Sequence, residues 1–210
     1  MQPEAGRAAS PKPRLVGIDF DNTLVDYAEA FRVVGIAMGL LPDGFVGDRV
    51  SLRALVRASA AGEQGWQRLQ ARVYGPDIDL ARPMAGIGGF LAHARRAGTT
   101  VAVISHKTRY AEQDPEGVDL RMAAAAWLAR SGLGLAPDRV FFENTRKAKL
   151  ARIAMLACSH FIDDLPEVLA DPEFPAGVER ILFMADGASQ HGAYAVHRSW
   201  EDITHALFGA

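Results

Sequence analysis

Two carboxylates lie two positions apart where an apolar segment near the start of the chain ends. In LVGIDFDNTLVDY, residues 15–27, Asp19 and Asp21 follow mostly apolar residues, and Asn22 and Thr23 come directly after them. Because residues i and i+2 of a strand point to the same face, both carboxylates could share one site if strand geometry persisted to residue 21. A strand that ends in a polar turn, with Asn22 and Thr23 capping the next helix, would explain the same residues without any chemistry.

A second pair of carboxylates, Asp163 and Asp164, closes the apolar segment of HFIDDLPEVL. Two acidic strand ends that converge on one edge of a sheet would repel each other unless a cation neutralised them. Mg²⁺ takes oxygen ligands and keeps several waters, which suits a few carboxylates together with a substrate phosphate. The two pairs therefore predict a Mg²⁺ site.

Two further side chains could bind a phosphate at the same place. Ser105 ends the apolar segment VAVIS and could donate its hydroxyl and backbone N–H groups to phosphate oxygens. Lys149, in TRKAKLARI, begins the helix before the Asp163 segment, and Lys147 could take the same role. A serine after a strand is often only a helix cap and a helical lysine is often only solvated, so this prediction depends on their order along the chain.

Alternating elements are expected to position these residues. Short apolar runs cover 99–105, 138–143, 159–163 and 179–186, and helical patterns such as GIGGFLAHARRAG and DLRMAAAAWLARSG lie between them. Strands that alternate with helices of this length predict an α/β fold with a doubly wound parallel sheet. Ligands bind beyond the carboxyl ends of such strands. The residues expected there are Asp19, Ser105, Glu143, Asp163 and Asp186.

The long interval between Thr23 and the helix near Gly86 has no convincing strand but three helical segments, YAEAFRVVGIAMGL, DRVSLRALVRASA and GEQGWQRLQARVYG. A crossover needs only one helix, so this length predicts a helical insertion over residues 27–82, lying over the mouth of the site as a lid. The α/β core would then comprise 15–26 and 83–210. The alternative is that the three helices simply pack on the sheet.

Composition fits one α/β domain with a small insertion, because the 210 residues are 49% apolar and 23% charged. A net charge of −2 gives no reason to expect nucleic acid as a partner. The single cysteine, Cys158, excludes an intramolecular disulfide, favours a cytoplasmic location, and is expected to be a buried apolar side chain. No apolar run reaches the roughly 18 residues of a membrane span, and residues 1–14 are predicted to be a flexible leader.

Taken together, the motifs resemble those of the haloacid dehalogenase-like (HAD) hydrolase superfamily. The first motif of that family, DxDx[TV], is similar to DFDNT, the second to VAVIS, and the third, a helical lysine, to Lys149. The fourth, an apolar strand ending in paired acids, is similar to FIDD. The resemblance covers residues 15–164, and it implies a Rossmann-like core with a small α-helical cap inserted after the first motif.

The resemblance assigns roles to the acidic residues. It implies that Asp19 is the nucleophile that forms an aspartyl-phosphate, and that Asp21 is the general acid and later the general base. The side chains of Asp19 and Asp163 and the backbone carbonyl of Asp21 would bind Mg²⁺. Asp164 would bind the metal through a water or orient its ligands. Because the dehalogenases and the phosphonate-cleaving relatives lack an acid at the position of Asp21, its presence favours phosphate monoester hydrolysis or phosphoryl transfer.

The remaining motif residues would hold the phosphoryl group. The resemblance implies that Ser105 and Lys149 bind its oxygens, and we expect Asn22 and His106 to contribute. Thr23 would fix the loop after the nucleophile. Asn22 stands where glycine is common in the family, and we interpret it as a residue that tolerates the tight loop geometry.

Substrate choice is expected to lie in the helical insertion and in the segment HKTRYAEQDPEGVDLR after Ser105. Some of its first residues, His106 to Arg109, should face the site. Lys107 and Arg109 would suit a second anionic group on the substrate, or would belong to a solvated basic loop. The side chains of Trp66, Arg68 and Tyr74 could face a sugar or base, or form the core of the insertion.

The sequence therefore predicts a Mg²⁺-dependent phosphatase that acts on a small phosphorylated metabolite. Two alternatives remain open. One is a phosphotransferase or mutase that uses the same aspartyl-phosphate, and the other is a non-enzymatic signalling module controlled by a phosphorylated aspartate. A membrane is not expected as a partner, nucleic acid is a minor option, and the sequence does not indicate an oligomeric state.

Overall fold

The computed structural model describes residues 15–114, 116–184 and 194–209. The leader predicted for residues 1–14 and the predicted strand-end residue Asp186 lie outside the described residues. Cys158 is buried, as expected for a small apolar side chain. Among the described helices, none combines the length and the apolar character that crossing a membrane requires.

A six-stranded parallel sheet forms the centre of the fold. Its strands are β1 (Leu15–Ile18), β4 (Thr100–His106), β5 (Val140–Glu143), β6 (His160–Asp163), β7 (Glu179–Phe183) and β8 (Ala195–His197). Their order is β5-β4-β1-β6-β7-β8, so the chain leaves β1 toward one edge and later returns to build the other. The doubly wound α/β fold is confirmed, and the reversal of strand order lies beside β1, where such sheets bind their ligands.

Helices cover both faces of this sheet. They are α4 (Ile87–Arg96), α5 (Leu120–Arg130), α6 (Arg146–Met155), the short α7 (Pro166–Leu169) and α8 (Trp200–Phe208). The alternation of side chains along the strands divides the apolar residues between two clusters: Val103 belongs to one, and its neighbours Ala102 and Ile104 belong to the other. The sheet is thus buried on both faces, as a parallel sheet requires.

Several predicted strand boundaries differ from those of the structure. Strand β4 continues one residue past Ser105 to His106, β5 begins at Val140 after a 3₁₀ turn, and β7 ends at Phe183. The sequence interpretation also missed β8, because a strand of only three residues shows almost no periodicity.

Three helices lie in the interval predicted to be a helical insertion, and we keep that name for residues 27–82. They are α1 (Ala28–Ala37), α2 (Arg49–Ala58) and α3 (Gly62–Tyr74). The expectation that this interval has no strand is wrong: β2 (Val25–Asp26) and β3 (Arg82–Pro83) pair antiparallel at its two ends. This two-stranded ribbon brings the entry and exit of the insertion together next to the first motif.

Aromatic side chains form the centre of the helical insertion. The ring of Phe31 stacks on Trp66 with centroids 5.2 Å apart, and the rings of Tyr27 and Tyr74 pack edge to face with centroids 5.0 Å apart. Trp66 is therefore part of the insertion core and does not offer its face to a ligand. Arg68 is exposed and lines a separate cavity with Asp114 and Glu116.

Candidate functional site

The backbone brings the two acidic segments together at one edge of the sheet. Strand β1 pairs with β6, and the Asp19 N–H donates a hydrogen bond of 2.9 Å to the carbonyl of Ile162. The Asp19 side chain therefore lies next to Asp163, the last residue of β6. After Asp19 the chain turns sharply, and Asn22 has a φ of 60°, in the left-handed region that asparagine tolerates better than most residues.

Lys149 connects the two carboxylates. Its Nζ lies 2.6 Å from Asp19 Oδ1 and 2.6 Å from Asp163 Oδ2, and its side chain is only 2% exposed. Helix α6 presents it from a well-formed N-terminus, where the Thr145 hydroxyl accepts a hydrogen bond from the Ala148 N–H. Burial alone would lower the pKa of Lys149, but the charges of Asp19 and Asp163 outweigh it and raise that pKa above its ordinary value.

The carboxylates of Asp19, Asp163 and Asp164 form one cluster. One oxygen of each lies within 4.8 Å of the others. Burial raises the pKa of Asp163 and of Asp164, and the charge of Asp19 raises both further. The single positive charge of Lys149 does not balance the charge of three carboxylates. Their oxygen atoms are therefore a donor set that fits a hard divalent cation such as Mg²⁺.

A cavity of about 120 Å³ opens beside this cluster. This is small compared with the roughly 300–1,000 Å³ of pockets that enclose a drug-sized ligand, so it suits a phosphoryl group better than a whole metabolite. It is lined by Asp19, Asp21, Asn22, Ser105, His106, Arg146, Lys149, Asp164, Leu165 and Val168. The sequence-predicted residues thus lie together, except that the fully buried Asp163 contacts Lys149 but does not line the cavity.

The carboxylate of Asp21 has partners that the motifs did not predict. Lys107 Nζ lies 2.9 Å from both of its oxygens, and the Tyr27 hydroxyl donates a 2.7 Å hydrogen bond to Oδ1. Burial, followed by the charge of Asp21, raises the pKa of Tyr27 well above its ordinary value, so its hydroxyl keeps the proton that it donates. The sequence predicted Lys107 either against a second substrate anion or in a solvated basic loop, and it did not predict the contact with Asp21. Nothing in the sequence marked Tyr27.

Arg49, the first residue of α2, reaches from the helical insertion to Asn22 on the cavity wall. Its guanidinium donates to the Asn22 side-chain oxygen and, at 3.0 Å, to the Tyr74 hydroxyl, and it lies over the ring of Phe31. Arg49 therefore connects the insertion to the loop after Asp19. Sequence reasoning missed both Arg49 and the cavity residue Arg146, because surface-type arginines on helices have no distinctive spacing.

Other predicted residues lie elsewhere. Lys147 is 81% exposed and is 3.7 Å from Glu173, so it does not share the place of Lys149. Arg109 is exposed and pairs with Asp119 at 2.7 Å, and Thr108 lines a separate cavity beside Tyr110. These positions do not support the hypothesis that Arg109 meets a substrate anion.

Two further expected contacts differ in detail. The buried Thr23 hydroxyl has no hydrogen-bond partner among the described residues, while its carbonyl accepts from the Trp200 indole at 3.1 Å. Thr23 thus ties the loop to α8 through its backbone. Glu143, at the end of β5, pairs with Arg152 at 2.7 Å and does not line the cavity.

The fold is similar to that of solved HAD-type structures. A HAD family hydrolase from Deinococcus radiodurans, with bound phosphate and sodium, has a TM-score of 0.60 at 16% identity and covers 92% of this chain and 94% of its own. A predicted phosphatase from Clostridium acetobutylicum has a TM-score of 0.60 at 15% identity, over 95% of this chain and 100% of that one. The predicted resemblance to the HAD-like hydrolases is therefore confirmed at the level of the fold.

A third similar structure carries a different name. Protein Tyrosine Kinase A of Mycobacterium tuberculosis has a TM-score of 0.61 at 18% identity, over 95% of this chain and 100% of that one. No protein-family model matches the chain, and no curated protein is significantly similar to it in sequence. The reaction must consequently be argued from the site itself.

Proposed function

We propose that the protein is a Mg²⁺-dependent hydrolase of small phosphate monoesters that acts through an aspartyl-phosphate on Asp19. The observation that carries the proposal is the position of Asp19, whose carboxylate lies against Lys149 and Asp163 and borders a cavity sized for a phosphoryl group. Asp21 lines the same cavity two residues further on. A nucleophile and an acid–base group therefore face one small space.

In the first step, a carboxylate oxygen of Asp19 attacks phosphorus. The bond between phosphorus and the ester oxygen breaks, its electron pair stays on that oxygen, and the proton of Asp21 goes to it. In the second step Asp21 takes a proton from water, the water oxygen attacks phosphorus, and the bond to Asp19 breaks. Free phosphate leaves, and Asp21 again carries a proton.

Positive and polar groups around the cavity would hold the phosphoryl oxygens. Lys149 supplies a buried ammonium, and Ser105, which is almost fully buried, supplies a hydroxyl at the cavity wall. Asn22, His106 and Arg146 line the remaining sides. Donors fixed around the transferred group stabilise the charge that develops on its oxygens.

The donor set of Asp19, Asp163 and Asp164 would hold the metal, together with the backbone carbonyl of Asp21. A bound Mg²⁺ would supply charge neutralisation between the phosphate and the carboxylates. Lys149 contacts Asp19 Oδ1 and Asp163 Oδ2 and keeps the two carboxylates at a fixed separation.

The small size of the cavity also bears on the substrate. Only the phosphoryl group fits inside, so the rest of the ester would extend toward the helical insertion, where Arg49 and Tyr74 lie. We propose that residues 27–82 act as a cap over the site. A phosphorylated metabolite of modest size is the substrate class that fits this arrangement.

Phosphoryl transfer to an acceptor other than water is the second candidate. The similarity to the Mycobacterium tuberculosis protein named a tyrosine kinase supports it, because one fold then accompanies two kinds of phosphoryl chemistry. Transfer would appear as a phosphorylated product when sugars, alcohols or tyrosine-containing peptides are added as acceptors.

Phosphate release from a broad panel of phosphomonoesters tests the proposal, measured with Mg²⁺, with EDTA, and with the D19N variant. We expect release only with Mg²⁺, and a loss of at least about 10³-fold in D19N, because the attacking oxygen is removed. D19N should keep a folded structure, since it removes one of three crowded carboxylates. Unchanged turnover in D19N would refute the covalent mechanism.

A further inference from the structure

We propose, building on the proposed function, that Lys107 is a positioning residue that fixes the carboxylate of Asp21 for proton transfer to the leaving group. The observation behind it is the contact of one buried ammonium with both oxygens of that carboxylate, at 2.9 Å each. Lys107 is only 4% exposed, although lysine is almost never buried without a specific partner.

The backbone of Lys107 is held on both sides. Its N–H donates to the carbonyl of Glu143 at 3.0 Å, which continues the pairing of β4 with β5 by one residue. Its carbonyl accepts from Arg121 Nε at 2.9 Å. The ammonium is therefore presented from a rigid part of the core and not from a solvated loop.

A carboxylate needs more than one contact to be oriented. The terminal torsion of aspartate is broad, so a single hydrogen bond leaves the plane of the carboxylate free to rotate. Lys107 contacts both oxygens of Asp21, and the Tyr27 hydroxyl contacts Oδ1 at 2.7 Å. These contacts from two directions fix the plane while the side chain remains 22% exposed toward the cavity.

Lys107 also joins the core to the helical insertion. Its Nζ lies 5.3 Å from the ring centroid of Phe20, which follows Asp19, and 4.8 Å from that of Tyr74, at the end of α3. Both distances are within the range of cation–π attraction. The ammonium thus lies between an aromatic ring of the core and one of the insertion, so the position of the insertion and that of Asp21 depend on the same group.

The same geometry argues against Lys107 as a binding group for a second substrate anion. Its ammonium lies against Asp21 and two rings, and Lys107 does not line the small cavity. A substrate anion would have to displace Asp21 to reach it. Positioning of Asp21 therefore accounts for its burial better than substrate recognition does.

Leaving-group dependence provides a readout that a purely structural lysine would not change. An alkoxide needs a proton when the phosphorus–oxygen bond breaks, whereas nitrophenolate departs without one. Misplacing the acid should therefore slow the phosphorylation of Asp19 by alkyl phosphates strongly and by nitrophenyl phosphate little. Substrate affinity should change little in either case.

The experiment compares wild type, K107M and Y27F on p-nitrophenyl phosphate and on a series of alkyl phosphates, all with Mg²⁺. We expect K107M to lower kcat/KM, which reports the phosphorylation step, by about 10- to 100-fold on alkyl phosphates but by no more than about 3-fold on p-nitrophenyl phosphate. Hydrolysis of the aspartyl-phosphate also uses Asp21 and is common to all esters, so kcat does not separate them. Y27F, which keeps the ring and loses one donor, should show the same pattern with a smaller loss. K147M removes an exposed lysine and serves as the matched control.

Three results would overturn the inference alone: an equal loss of kcat/KM on all esters, a raised KM with kcat unchanged, or full activity in K107M. If K107M fails to fold in a thermal melt, the pattern in Y27F decides in the same way. A folded wild type that releases phosphate from no ester would instead overturn the proposed function, and the inference with it. The wild-type arm thus distinguishes the two failures.

Discussion

At the scale of single residues, Lys149 is the group whose removal has the most general consequences. Its ammonium is the buried cation between Asp19 and Asp163, at 2.6 Å from each. Breaking a buried ion pair by removing one partner leaves uncompensated charge, which typically costs about 3–5 kcal/mol. The same substitution removes a donor to the phosphoryl group.

We therefore expect K149M to lower the free energy of unfolding of the metal-free protein by about 3–5 kcal/mol and turnover by at least about 10²-fold. K147M, two residues earlier on the exposed side of α6, should change stability by less than about 0.5 kcal/mol. Chemical denaturation and phosphate release measure the two effects. Equal behaviour of the two variants would contradict the structural distinction between these lysines.

The sequence predicted the residues of the site better than their partners. Asp19, Asp163 and Lys149 belong to motifs with a fixed order, and the structure brings them together. The contacts of Tyr27, Arg49 and Lys107 join residues 6, 27 and 86 positions apart in the chain. Such contacts depend on how the helical insertion packs on the core, which no local pattern encodes.

At the scale of elements, the central strand β1 permits the close approach that the site needs. A Cβ placed on Gly17 would lie 2.6 Å from a ring carbon of Phe161 on β6 and 3.2 Å from the Cys158 sulfur. Strands β1 and β6 carry Asp19 and Asp163 directly after this contact. A change in the spacing of the two strands would therefore move the carboxylates.

We expect G17A to destabilise the protein by about 1–3 kcal/mol, as overpacking of a core does, and to lower activity as well. G89A, at an exposed position of α4 where an added Cβ meets nothing within 4 Å, should instead be neutral or slightly stabilising, because alanine favours a helix. Thermal melts of both variants check this. A G17A protein as stable as wild type would show that Phe161 can move away.

Elements longer than about four residues were predictable because their apolar periodicity is clear. The three helices of the insertion and strands β5, β6 and β7 fall within their predicted segments, and β4 passes the end of its segment by one residue. The two-residue strands β2 and β3 were not predictable, because they are defined by pairing across a separation of more than fifty residues. The predicted strand ends differ from the observed ones for the same reason, since hydrogen bonds to neighbouring strands decide where a strand stops.

At the scale of the whole molecule, the clustered carboxylates link stability to pH and to metal. Burial raises the pKa of Asp163, and it raises that of Asp164 to about 8, above the value near 4 of an unfolded chain. A raised pKa means that the folded, metal-free protein holds these protons more tightly. The stability that this tighter proton binding contributes is therefore present below about pH 4 and is lost as the pH rises toward about 8.

A bound Mg²⁺ should offset this loss. We expect the increase in melting temperature caused by Mg²⁺ to be larger at about pH 8 than at about pH 5. The difference should be roughly 2–4 °C for each kcal/mol of lost stability that Mg²⁺ restores. Burial lowers the pKa of His160 and His197, so these histidines favour stability at higher pH, in the opposite direction. D164N, measured in parallel, isolates the carboxylate effect and should reduce the difference. An equal Mg²⁺ effect at both pH values would contradict the account.

The most direct test of the central claim is to detect the phosphoryl group on Asp19. In D21N, p-nitrophenyl phosphate should still phosphorylate the protein because its leaving group needs no proton, while hydrolysis slows because water lacks its base. Rapid quenching followed by peptide mass spectrometry should then find one added phosphoryl group on the peptide that contains Asp19, and none in a D19N/D21N double variant. Release of nitrophenol with no phosphorylation of Asp19, or with phosphorylation of another residue, would contradict the account.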